Sequence, residues 1–350
     1  MRFLWRWMKR LLLGSVILVL LLLAPILYVE TLCRGEGPPE AYDPILSTEH
    51  HRAETKTLMT YPEWHIVHAY DDYAKVIQTG DPHEFGYLSA IRGFWSSLCA
   101  LSERSAALSG DTSEIKQTVY VIGVSFTAEL LAKAAYEETI GRLTTWLRGP
   151  DRAPLDDLSA DQAAGYARFL QQTPWYRWDF DEDIAALDAA KTDALRDRER
   201  RLALGFEYGG KSAYAGVIAS AVENVGADAL TLRMIVDGIP EETLRSMEGV
   251  TVMRQTDAGI EIETPRYRAL TGLLAAMAEE GVQFVEIAGN DDILLTAISS
   301  APDAQDALFA FPRQGYDDYR HLVMVKVPEL ADRLRAFMNG PLTLEHIHDY

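Results

Sequence analysis

His65, His68 and Asp72 have the side-chain types and spacing of a metal site. At about 100° per residue in a helix they project within roughly 60° of one another. Two imidazoles and a carboxylate form a donor set for a divalent metal. His346 and His348, after Glu345, would complete it if the C-terminal end folds back. The competing reading is the polar face of a surface helix whose apolar stripe is Ile66, Tyr70, Tyr73 and Ile77.

Glu129 is the candidate catalytic carboxylate. On a helix it shares an azimuth with Ile122, Tyr136 and Ile140, so it faces the core. Burial without a partner would raise its pKa into the range of a general acid or base. Lys133, four residues on, offers the plainer outcome of an ion pair. The segment Trp175, Tyr176, Arg177 and Trp178, beside Asp179 and Asp181, is the candidate interaction surface, because aromatics with Arg dominate interface hot spots. The same rings would also serve to plug a junction between helices.

One nucleotide motif is matched literally. Gly205 to Ser212 reads G-x-x-x-x-G-K-S, yet a phosphate loop must follow a buried strand. Here only Leu202 to Leu204 separate it from Arg198-Glu-Arg-Arg201, which reads as a solvated helical face. The glycines are expected to break or kink a helix, and nucleotide is not an expected ligand.

The elements that position these residues begin with an apolar run. Leu11 to Val29 gives nineteen consecutive uncharged residues behind Arg2, Arg6, Lys9 and Arg10. As a helix the run spans roughly 30 Å, the thickness of a bilayer's hydrocarbon core. With the cations held on the cytoplasmic side, residues 30–350 are expected in the periplasm of a bacterial inner membrane. The run is too long for a cleaved signal peptide and lacks an A-x-A-like site. Trp5, Trp7 and Tyr28 at its two ends suit an anchor that stays.

Composition supports a folded body. The chain is 48% hydrophobic, enough for two packed domains, and its charge of −19 becomes −23 once the four leader cations are set aside. Nucleic acid is therefore not an expected partner. Cys33 and Cys99 would be free to pair in an oxidising compartment, but position 99 also reads as a buried thiol among Trp95, Leu98 and Leu101.

Five segments follow: leader and anchor over 1–29, a Gly/Pro-rich linker over 30–56, a helical domain over 57–226, an α+β domain over 227–340 and a tail over 341–350. The first soluble helix is expected at the capping box Thr60 to Glu63. After Gly226 the period changes from 3.6 to 2. The order becomes β-α-β-β-α-β over Leu232 to Ile287, the ferredoxin-like order, with further strands at 293–298 and 321–326 and a closing helix from Pro328. The chain thus reads as a membrane-anchored periplasmic accessory or binding protein with a partner in the membrane or periplasm. The alternative is an anchored metal-dependent enzyme using the His/Asp/Glu set.

Overall fold

A computed structural model of the chain describes residues 2–35, 42–108, 113–225 and 230–350. The apolar run lies within one helix, α1 (Arg2–Leu32). Its end is not loose. Val29 and Cys33 are buried against the helical region, and Cys33 is disulfide-bonded to Cys99. Position 99 is therefore a cystine half and not a free thiol. The Gly/Pro-rich linker lies across the body from Tyr42 onward. The Tyr42 hydroxyl and the backbone N–H groups of Ile45 and Leu46 all donate to the Glu286 carboxylate, at 2.7, 2.6 and 2.8 Å.

The helical region comprises α2 (Thr55–Ile77), α3 (Tyr87–Ser105), α4 (Ser113–Tyr136), α5 (Arg142–Arg148), α6 (Pro154–Leu170), α7 (Phe180–Ala190) and α8 (Leu195–Val225). A π-helical turn, Glu137–Gly141, joins α4 to α5. Helix α2 starts five residues before the expected capping box. Thr60 lies inside it, and its hydroxyl donates to Thr57 O rather than capping. Pro62 therefore lies inside the helix, eight residues in, where its ring nitrogen cannot donate to the Leu58 carbonyl. The α3 and α4 axes approach closely at Gly123, where an added Cβ would stand 2.4 Å from the Phe94 ring.

Helix α8 runs unbroken through Gly205 to Ser212, so this sequence forms no phosphate loop. The stretch before it is not solvated either. Arg196, Asp197, Glu199 and Arg200 are buried, because each guanidinium meets two carboxylates: Arg196 meets Asp156 at 2.8 Å and Glu199 at 2.9 Å, and Arg200 meets Glu137 at 2.9 Å and Glu199 at 2.6 Å. Charges leave water only when so compensated.

The C-terminal region is an antiparallel α+β structure of two four-stranded sheets. Its elements are β1 (Thr231–Asp237), α9 (Glu241–Ser246), β2 (Thr251–Thr256), β3 (Gly259–Pro265), α10 (Tyr267–Glu279), β4 (Gln283–Ile287), β5 (Asp292–Ser299), β6 (Ala307–Pro312), β7 (Tyr319–Lys326), α11 (Leu330–Asn339) and β8 (Thr343–His348). The orders β2-β3-β1-β4 and β6-β7-β5-β8 repeat one plan, with the first strand of each set between its third and fourth. Residues 343–348 are thus an inner-packed strand and not a tail.

One core joins inward residues of both sheets with Leu270, Leu274 and Met277 of α10 and Leu330 and Leu334 of α11. The other face of the second sheet packs on α2 and α3, with Leu294 and Leu322 in the helical core. Strand β5 is therefore buried on both faces, which is why its sequence is a nearly continuous apolar run instead of an alternation. Thr57 joins the two regions: its hydroxyl donates to His348 O at 2.6 Å and accepts from Leu294 N at 2.9 Å.

Candidate functional site

Helix α2 brings Tyr61, Trp64, His65, His68 and Asp72 against β7 and β8, which supply Arg320, Glu345, His346 and His348. The C-terminal end does fold back as the metal reading required. It does so as a strand, and its bulge between Thr296 and Ala297 of the partner strand accommodates Glu345. The helix is enclosed on both sides, so the histidine face is not a surface. His65, His68, Asp72, His346 and His348 are all buried.

At the centre, Arg320 donates to Glu345 through Nε and Nη2 at 2.5 and 2.6 Å, a bidentate pair with no solvent contact on the Arg side. His68 Nδ1 lies 3.7 Å from Glu345 Oε1. The His346 ring stacks on Trp64 at 3.6 Å between centroids, and His348 stands edge-on to Tyr61 at 5.4 Å. Asp72 accepts from Gln314 N at 3.0 Å through one oxygen. His65 turns elsewhere. Its Nε2 lies 3.0 Å from Ala90 O, and Phe94, Phe126 and Phe311 surround the ring.

Burial holds the imidazoles neutral. It lowers His65 to about 4 and His348 to about 3, and it holds His68 and His346 well below the usual imidazole range, with Arg320 adding to the effect at His68 and His348 adding to it at His346. Asp72 is pushed up to about 6 by burial, against the pull of Arg320. Burial would raise Glu345, but Arg320 keeps it below the usual range. Several polar atoms of this cluster have no hydrogen-bond partner among the described residues: Tyr61 Oη, His68 Nε2, Asp72 Oδ1, Arg320 Nη1, His346 Nε2 and both nitrogens of His348.

The donor types suit a metal, but the geometry does not gather them. Among the described residues, the sets of three ligating groups close enough to share an ion are Cys33, Cys99 and Glu103, and Glu54, Asp291 and Asp292. The first contains the disulfide. The second already accepts from backbone N–H groups through Glu54 and pairs with Lys326. His65, His68 and Asp72 form no such set.

Glu129 belongs to a second, largely buried network. It lies 3.1 Å from Lys211 Nζ and 3.8 Å from Lys133, and it accepts from the Tyr70 hydroxyl at 2.8 Å. Glu207 faces the same two lysines at 2.8 and 3.0 Å, and they hold it down to about 2 despite burial. Two lysines thus balance two glutamates. Lys211 of the nucleotide-like sequence is consumed here, over the rings of Tyr70 and Tyr166.

The aromatic segment divides its roles. Trp178 is a plug, packed on Tyr166 and Phe169 with its indole N–H donating to Asp183 at 2.6 Å, and Trp175 stacks on Tyr214 of α8 at 5.4 Å. Tyr176 and Arg177, with Trp178 and Asp179, also line an open groove of about 290 Å³ against Ser212 and Ala215 of α8. The partners Arg320 and Gln314 were not singled out by sequence reasoning, because their neighbours come from elements far along the chain and no local pattern marks them, and Lys211 was marked only through the nucleotide-like motif. No family model, curated protein or solved structure matches this chain.

Proposed function

We propose that this is a membrane-anchored accessory protein of a bacterial inner membrane. Its helical body and its α+β region, whose first half follows the ferredoxin-like order and whose second half reuses that strand order, stand on the periplasmic side and act by binding. The observation that carries this reading is the junction at Cys33: an apolar helix of bilayer length ends in a cystine that locks it to the body. Disulfides persist in oxidising compartments, which fits the orientation expected from the leader cations. The groove between Tyr176, Arg177 and α8 is the binding surface in this reading, its aromatic and Arg lining matching that of interaction hot spots. Pull-down of the intact chain from gently solubilised membranes tests it. A partner retained by the wild type and lost on Arg177→Glu supports the reading, whereas a chain that migrates alone in both forms removes it.

A second reading, an anchored metal-dependent enzyme, is favoured by one observation: neutral imidazole nitrogens at His68, His346 and His348 that lack partners. Neutral imidazole is the ligand form. Elemental analysis of the purified chain after metal repletion decides, since well below one ion per chain would eliminate it.

A further inference from the structure

The anchor helix and α4 lie side by side. Leu22, Pro25 and Ile26 of α1 are half-buried, Ile26 joins the helical core together with Val119, Tyr120 and Val124, and the Tyr120 hydroxyl donates to Glu30 at 2.5 Å. Among the described residues, α1 and the stretch Ile115–Arg148 are the two helices long and apolar enough to cross a membrane. Between Lys116 and Glu129 the second carries no charge. Its outward row, Val121, Ser125, Ala128, Ala132 and Ala135, is exposed and uncharged, with Val121 61% exposed. The steps of four and three residues put this row on one face.

Depth decides what covers that face. Residues 22–29 of α1 fall inside its apolar span, and whatever packs against a membrane-embedded stretch shares its depth. The turn of α4 at Tyr120 therefore meets α1 at the outer end of its apolar span, between Ile26 and Glu30, where the acyl chains begin. It does not cross. Its uncharged stretch covers about 18 Å against roughly 30 Å for a hydrocarbon core, and Glu129 and Lys133 then engage Lys211 and Glu207 of α8.

We propose that the outward face of α4, beginning at Val121, rests in the acyl-chain region of the leaflet on the body's side, beside α1. One spanning helix and one embedded face then hold the body at a fixed height and rotation. This inference rests on the reading of α1 as a membrane span.

The test uses the full chain reconstituted in vesicles of phosphatidylethanolamine and phosphatidylglycerol. The native cysteines are joined, so a single introduced thiol takes an environment-sensitive fluorophore. Three variants are compared: Val121→Cys; Leu20→Cys within the span; and Asp193→Cys, whose side chain is fully exposed on the body. The expected result is that position 121 behaves like position 20, with blue-shifted emission and at least about twofold stronger quenching by acyl-chain nitroxides than at position 193. Quenching of 121 by soluble iodide, with 20 still quenched from the lipid, overturns the inference and leaves the anchor intact. Shielding of 121 from both quenchers also overturns it, because protein then covers the face. Iodide access at 20 as well as 121 removes the anchor reading itself, and the inference with it.

Discussion

Four buried histidines make the α2/β8 junction sensitive to acid. An unfolded chain protonates its histidines near 6.5, whereas folded His65 resists to about 4 and His348 to about 3. Their contribution to stability is present above pH 6.5 and is lost as the pH falls through 4, because the unfolded state takes up protons first. For His65 alone the shift corresponds to about 3 kcal/mol as an upper figure. Asp72, raised to about 6, and Glu54, raised to about 7 by burial beside Asp292, run the other way and gain stability on acidification. Asp183 and Asp292, also raised by burial, act in the same direction, but the depressed rings, His321 included, outnumber these carboxylates among the described residues and leave a net loss. The thermal midpoint of the intact chain should fall between pH 6.5 and 4.5, and His65→Gln, which keeps a donor for Ala90 O, should flatten that fall. An unchanged slope would show that His65 is not held neutral by the fold. Glu129 makes a different prediction. Its pairing with Lys133 and Lys211 is largely buried, with the carboxylate 31% and each lysine 16% exposed, so Glu129→Gln should lower stability by about 2 kcal/mol, less than for a fully enclosed pair. An equal or raised midpoint with loss of partner or ligand binding would instead mark a functional carboxylate.

At the scale of elements, the buried ion network of α8 is the most sensitive point. Among the described residues Arg200 is the cation paired with Glu137 of the π turn, and it shares Glu199 with Arg196, so Arg200→Met leaves the buried Glu137 carboxylate uncompensated. Denaturant unfolding should show a loss of roughly 3 kcal/mol or more. A loss under about 1 kcal/mol would mean that water already reaches the network. This network was hidden in the sequence, where Arg196 to Arg201 looks like any solvated charged face; burial of charge shows only when distant partners are placed. Strands β1 to β4 were legible because they are bounded by Gly238, Gly249, Gly259 and Gly281, all at positive φ. Strand β8 was not. Its sequence LTLEHIH presents polar side chains to α2, and such residues read as a tail when their buried partners are unknown. Strand β6, ALFAFP, lacks alternation and was missed for that reason. The His65, His68 and Asp72 face was visible from helical spacing, but its enclosure by the second sheet was not.

For the whole molecule, the account turns on which side of the membrane the body occupies. The anchor, the cystine between Cys33 and Cys99, and the packing of Val29 into the helical core describe one rigid arrangement. In the proposed reading the body stands outside the reducing cytoplasm, where such a cystine persists. The direct measurement is labelling of Asp193→Cys in spheroplasts with a membrane-impermeant maleimide, with the chain followed into the carbonate-washed membrane fraction. The account predicts full labelling without permeabilisation and retention in the membrane. Labelling only after lysis would place the body in the cytoplasm and contradict it.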